Sequence, residues 1–303
     1  MIEASTLQAH QQNISAPTLA TVLNGTVKIA TTVGDSFSSP VEAASLLKRP
    51  VVTLPREMER HAYPAMYRLE ESHWWFVGRR RIIASFVEQA VNSLSKNGHT
   101  PRILDVGCGT GANLLMLNQY GDAHGVDVSP DALSFCHSRG LSNVQYGEAE
   151  CLPYEDHSFD IVTSIDVIEH LDDDVACLKE MRRILRPGGK AVLFVPAFMF
   201  LWSAKDEVVR HRRRYRLPQL QRAVEEAGFQ IRHATYANLA FFPPILLARA
   251  MMRLLGLKTN DEEMSISALN GIMGRLFGAE RHWLRRGRFP FGVSVLCVVQ
   301  NPA

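Results

Sequence analysis

The stretch that most constrains this chain is residues 102–113, RILDVGCGTGAN. An apolar run ends in Asp105, glycines follow at Gly107, Gly109 and Gly111, and a helix-compatible segment begins at once. This is the pattern of a buried parallel strand opening into a backbone-lined turn. Glycine has no Cβ, so the turn can take positive φ and let a ligand lie close to the main chain. A helix opening there adds unpaired N–H groups. The pattern suits a nucleoside-bearing cofactor, but with Ala112 it also satisfies the looser glycine signature of a dinucleotide fold.

Composition narrows the class. Hydrophobic residues at 46% and charged residues at 21% are those of a soluble globular chain with a sizeable core. A formal charge of +2 is too small to imply nucleic-acid binding from bulk electrostatics, so no nucleic-acid partner is expected. The five cysteines are odd in number and lack CxxC spacing, which points to reduced thiols and a cytoplasmic protein. The eleven histidines show no HExxH or similar spacing, so no metal is expected.

Residues 1–57 are rich in Ser, Thr, Ala and Val without a sustained period, and are expected to form a flexible extension. A single domain is expected over 58–303. Glu59 to Val91 reads as helical, centred on ESHWWFVGRRR. Neighbouring helix positions diverge by about 100°, so Trp74, Trp75 and Phe76 cannot all face one core, and at least one should face a ligand, a lid or another subunit. Strands are expected at 102–106, 122–127, 143–146, 160–165 and 190–195, with helices at 113–119, 130–139 and 172–185, the alternation of a parallel sheet. The last of these helices should end in a tight turn at Arg186–Gly189. A helix at 217–227 and strands at 229–236 and 292–299 follow, separated by an insertion, 237–291, too long to lack structure of its own.

Asp127 ends the second strand, 127 − 105 = 22 residues after Asp105. A carboxylate there can accept both hydroxyls of a ribose. Then come Gly147-Glu148-Ala149-Glu150, Ser158-Phe159-Asp160, Ile165-Asp166-Val167-Ile168-Glu169-His170-Leu171 and Leu185-Arg-Pro-Gly-Gly189. Taken together, over about residues 58–303, these motifs resemble the class I S-adenosylmethionine-dependent methyltransferases. The pieces EESHWWFVGRRRII, VPAFMFLWSAKDEVVRHRRRYR, YANLAFFPP and FPFGVSVL look like bacterial type 11 or type 12 methyltransferases of an HWWF-type subgroup. The resemblance implies a Rossmann-like doubly wound α/β sheet of seven strands, order 3-2-1-4-5-7-6 with the last antiparallel, an N-terminal helical cap and a helical insertion before the last strand.

It also implies that Asp105, Gly107, Gly109 and Gly111 hold the methionine part of S-adenosyl-L-methionine and that Asp127 binds the ribose. Val128 would lie against the adenine, with Glu148 and the Ala149 N–H meeting its edge, and Asp166 would border the pocket on the acceptor side. For the acceptor, the residues suggest His73, Trp75, Arg79, Arg213, Arg214 and Tyr215 as contacts, with Arg79 or Arg80 able to reach the cofactor carboxylate if the first helix caps the pocket. His211 is a candidate base, since histidine changes charge near working pH, with Asp166 and His170 as further catalytic candidates. The competing reading of Asp206 to Tyr215 is a solvated basic loop with Asp206 paired internally.

The expected function is methyl transfer to a small acceptor, anionic or lipid-attached, such as a saccharide or specialised metabolite, with O-methylation favoured over C-methylation. The alternatives are a non-catalytic cofactor-binding or membrane-associated protein of the same fold and, more distantly, a nucleic-acid methyltransferase. The apolar 239–256 falls short of the roughly twenty apolar residues of a span. Arg249 and Arg253 stripe it, so it suits a lid, a peripheral membrane contact or a homodimer face.

Overall fold

The computed structural model describes residues 20–23, 26–29, 62–94, 98–255 and 270–302. The chain divides into two units, Met1–Thr53 and Leu54–Ala303. In the first, Ala20–Leu23 and Thr26–Ile29 pair antiparallel. The remainder of the expected extension lies outside the described residues, as does the centre of the 237–291 insertion.

The second unit is built on one sheet. Its strands are β1 (Arg102–Val106), β2 (Asp122–Asp127), β3 (Val144–Tyr146), β4 (Phe159–Ile165), β5 (Leu185–Pro196), β6 (Gln230–Ala237) and β7 (Ser294–Gln300). They lie in the order β3-β2-β1-β4-β5-β7-β6. β7 runs antiparallel to both neighbours and the other pairings are parallel. This is the order 3-2-1-4-5-7-6 that the motifs implied. β4 is buried along its whole length, as a central parallel strand covered on both faces must be.

Alternate residues of the strands feed two cores. On one face Leu104, Val162 and Leu193 pack with Leu178, Met181, Leu220 and Val224 of α5 (Asp174–Ile184) and α7 (Leu217–Glu226). On the other, Ile103, Ile161 and Phe194 pack with Ile82, Ile83 and Phe86 of α2 (Trp74–Asn92), with α3 (Ala112–Leu117) and α4 (Pro130–Ser138), and with Phe277 of α9 (Asn270–Ala279). The remaining helices are α1 (Ala62–Leu69), α6 (Ala204–Val208), α8 (Phe242–Leu255) and α10 (Arg281–Leu284).

Local chemistry sets the ends. Ser129 caps α4 by accepting from Ala132 N at 3.3 Å, with Pro130 pre-set at the first helical position. Asp173 caps α5 through Ala176 N at 2.8 Å. Two expectations need correction. The helix expected over Glu59 to Val91 is broken: α1 stops at Leu69 and α2 restarts at Trp74, because His73 becomes an N-cap and its Nδ1 accepts from Trp75 N at 3.3 Å. The turn expected at Arg186–Gly189 is an irregularity inside β5, whose Leu185 pairs with Phe159 before the register shifts. Gly188 takes φ 80° there.

Candidate functional site

The carboxyl ends of β1 and β4, side by side at the middle of the sheet, face the crevice where open α/β folds hold their ligands. Around β1, Gly107 N and Cys108 N both donate to Val126 O, at 2.8 and 3.0 Å, which ties the loop to β2. Asp127 completes the bracing. Its carboxylate accepts from Gly109 N at 2.8 Å and from Ser129 N at 2.9 Å. The glycines serve different ends. A Cβ at Gly107 (φ 68°) would stand 2.4 Å from Val167 Cγ2, so packing of the protein on itself excludes a side chain. At Gly109 (φ 54°) a Cβ would meet only Met66 Cε, at 3.1 Å, and the main chain there is open to a ligand.

Asp105 sits at the end of β1 and is almost fully buried. Thr163 Oγ1 donates to its Oδ1 at 2.6 Å, while Oδ2 is buried with no hydrogen-bond partner. Burial pushes its pKa up to about 7, against the Thr163 hydrogen bond and the charge of Arg79. A buried acceptor without a donor calls for a partner, and an aminium would supply one. Val128 and Glu148 are half-buried and Ala149 is buried at the neighbouring ends of β2 and β3. The residues expected to hold the donor thus lie together on one half of the edge, and they fit the cofactor.

The N-terminal helices cover this half through contacts that the sequence did not disclose. Glu70 is buried, accepts from Thr110 Oγ1, and lies 3.6 Å from Arg139 Nη2. Burial raises its pKa. Arg139 also donates to Thr110 O at 2.8 Å and Tyr67 O at 3.0 Å, and its guanidinium stacks 4.2 Å above the Tyr67 ring. Only the pair Glu70-Glu71 before the aromatics hinted at this clasp.

The other half differs from expectation. Asp166 follows β4 with φ 54°, a left-handed conformation costly for a residue with a Cβ. Its carboxylate pairs with Arg79 of α2, which is buried. Arg79 therefore reaches Asp166 and is not an isolated cation awaiting a substrate, although its Nε is buried without a partner. Arg80 donates to Glu70 O at 2.5 Å. His73 is the cap already described, and burial lowers its pKa. The Trp75 ring packs 5.5 Å from Phe277 and Trp74 packs 4.5 Å from Phe241, so both indoles hold the insertion. Both remain half-buried, and their contact with the insertion is compatible with the expectation that at least one of the aromatics faces a lid.

Tyr215 is also corrected. It is buried, its OH donates to Asp174 at 2.6 Å, and its main chain is stitched to Pro196 and Phe198 at the end of β5. Arg213 donates to Leu171 O at 3.0 Å and Asp172 O at 2.8 Å and faces Asp174 at 3.3 Å. Arg214 grips Asp206 with Nε and Nη2, both at 2.8 Å. The internal pairing of Asp206 is thus what the structure holds.

Asp206 is buried at the start of α6 and also accepts from His211 Nδ1 at 2.7 Å. Against the upward push of burial, hydrogen bonds from His211 and Arg214 hold its pKa far below the carboxylate range. The proton on Nδ1 leaves the Nε2 of His211 as the reactive nitrogen, 3.7 Å from Glu169 Oε1. The His170 ring stands 4.7 Å from that of His211, nearly perpendicular to it. Burial first, then His211, presses the pKa of His170 well below its ordinary value.

Comparison with known proteins bears on the domain and its fold. Residues 104–193 match the profile of the methyltransferase domain family. An uncharacterised methyltransferase of Bacillus subtilis is 35% identical over 127 residues, covering 39% of this chain and 49% of that protein. An uncharacterised 37.1 kDa protein in a transposon of Streptomyces fradiae is 30% identical over 221 residues, covering 65% of this chain and 61% of its own length. The chain therefore spans about half to three fifths of these relatives. Among solved structures, a chain of the complex between the Trm112 methyltransferase activator and a methyltransferase from Haloferax volcanii shares the fold, with a TM-score of 0.53 and 19% identity over 83% of this chain and 98% of that one. Residues 104–193 thus carry the pattern of a methyltransferase domain, on a sheet order and fold shared with that structure.

Proposed function

We propose that this protein transfers a methyl group from S-adenosylmethionine to a hydroxyl of a small, lipid-attached acceptor. When bound, the cofactor supplies a methyl group already activated on a sulfonium, so the chain has mainly to align an acceptor and exclude water. Asp105, Asp127 and the Gly107–Gly111 turn would hold the donor, and the clasp of Glu70, Thr110 and Arg139 keeps the N-terminal helices over it.

The observation that favours oxygen over carbon as the acceptor atom is the Asp206–His211 pair at 2.7 Å. It fixes one imidazole tautomer beside Glu169 and His170, at the edge of β4, where a hydroxyl proton has to be drawn off. Arg213 and Arg214 are committed to Asp174 and Asp206, which weakens the reading of an anionic acceptor. Lipid attachment is favoured by α8, which buries none of its residues and exposes Leu247, Met251, Leu254 and Leu255. This supports the peripheral membrane contact proposed for 239–256, and the same face would equally serve a homodimer. No helix among the described residues is long and apolar enough to cross a membrane.

The test is incubation of the purified chain with methyl-labelled cofactor and fractionated lipid and aqueous extracts. Label in a base-stable methyl ether of a lipid fraction, with matching S-adenosylhomocysteine, is expected. Cofactor binding without S-adenosylhomocysteine formation in any fraction would favour a non-catalytic protein of the same fold.

A further inference from the structure

Glu169 is the unexplained group on the acceptor half. It is fully buried in the short helical turn Ile168–His170, and neither carboxylate oxygen makes a hydrogen bond. Burial, and next the neighbouring Asp166, push its pKa well above the carboxylate range. An isolated buried carboxylate is costly and is retained where something compensates it. Asp166 and the guanidiniums of Arg79 and Arg214 act on it by charge, and two imidazoles come within ligand reach: the ligand atoms of Glu169, His170 and His211 all lie within 4.8 Å of one another.

The surroundings are those of a ligand set. A metal-binding imidazole ordinarily gives its other ring N–H to a carboxylate or a carbonyl, which fixes the tautomer and aims the free nitrogen. His211 does this, through Nδ1 to Asp206. Asp206 is itself locked by Arg214 and by Ser203 N at 2.8 Å, so the imidazole has little freedom. The His170 ring stands beside it, 4.7 Å from the His211 ring and nearly perpendicular to it. A tetrahedral ion with bonds of about 2.1 Å holds its donors about 3.4 Å apart, so the widest separation, 4.8 Å at most, has to contract by up to about 1.4 Å as the side chains turn onto the ion.

We propose that Glu169, His170 and His211 form a binding site for a divalent transition-metal ion of the zinc, cobalt or manganese kind, with Asp206 positioning His211. Two imidazoles and one carboxylate are a donor set for borderline metals, and three protein ligands leave at least one coordination position for water or an acceptor oxygen. The site stands on this geometry alone. Its use would be to lower the pKa of an acceptor hydroxyl coordinated there, the proton passing to solvent in place of His211; this use rests on the O-methylation reading above, with the ion taking over the part given there to the imidazole. Sequence spacing hid the set, because His211 comes 211 − 170 = 41 residues after His170.

The test titrates Co(II) into the full-length, chelator-stripped protein and follows the visible d–d absorption. One equivalent bound with micromolar or tighter affinity, competed by Zn(II), is expected. Glu169→Gln and His211→Ala should weaken binding at least 100-fold, and Asp206→Asn about 10- to 100-fold, with far-UV circular dichroism and cofactor affinity as controls of folding. A wild-type protein that binds Co(II) and Zn(II) only at millimolar concentration overturns the site, whether or not the variants fold. So do folded variants that bind as wild type does. Metal binding without cofactor binding would instead keep the site and remove the methyl-transfer reading.

Discussion

The two halves of the crevice solve opposite problems. On the half formed by β1 to β3, main-chain groups brace one another: Gly107 and Cys108 donate to Val126 O, and Asp127 accepts from Gly109 and Ser129. Most of these contacts join the ends of two adjacent strands, so the strand pattern places them once β1 and β2 are paired. On the half formed by β4 and β5, side chains from separate elements meet: Arg79 of α2 with Asp166, and His211 with Asp206, Glu169 and His170. Main-chain bracing depends little on which side chains the loop carries, whereas a meeting of side chains is lost with a single substitution.

The sharpest way to break this contrast is to disturb the bracing. Gly107→Val demands a Cβ 2.4 Å from Val167 Cγ2 at positive φ, and should cost about 4 kcal/mol or more, seen as loss of soluble protein or of cofactor binding. A folded variant with wild-type affinity would show that the turn can move.

Next in size is the pH response of Asp105. Its pKa in the folded protein, about 7, lies above its ordinary 3.8. The folded state therefore binds more protons than the unfolded state between these values, so stability is fully present below about pH 4 and declines up to about pH 7. The difference corresponds to roughly 4 kcal/mol at about 1.4 kcal/mol per pH unit. Glu70 and Glu169 shift in the same direction, so the comparison is with Asp105→Asn. Urea unfolding at pH 5 and pH 7.5 should show a larger fall in the wild type than in that variant.

On the other half, Arg79→Met leaves Asp166 unpaired and should destabilise by about 3 kcal/mol. The double change with Asp166→Asn should recover part of that loss in a thermal-denaturation cycle. The smallest effect belongs to the apolar face. Leu254 is 86% exposed, so Leu254→Gln should change stability by less than about 0.5 kcal/mol while reducing co-sedimentation with anionic vesicles.

The same contrast explains what could be read from the chain. β1 and β2 fall on the expected residues: an apolar run, Asp105 and Gly107 mark the first, and Gly121 before it and Asp127 at its end bracket the second. The break before Trp74 was not legible, since it depends on a histidine cap and on Glu70 meeting Thr110, 110 − 70 = 40 residues away. Arg213 and Tyr215 looked available because sequence shows a charge or a ring without its partner. Asp174 occupies both. Trp74 and Trp75 both pack against the core that includes Phe277, and the insertion that receives them is far along the chain, so sequence spacing does not show the contact.

The most direct measurement is calorimetric titration of S-adenosylmethionine into the wild type and Asp127→Asn, with thermal unfolding to confirm that both are folded. Asn keeps the shape but loses the charge that would receive the ribose hydroxyls, so the account predicts one-to-one binding to the wild type and an affinity about 10- to 100-fold lower in the variant. Equal affinities, or a folded wild type that does not bind the cofactor, would contradict it.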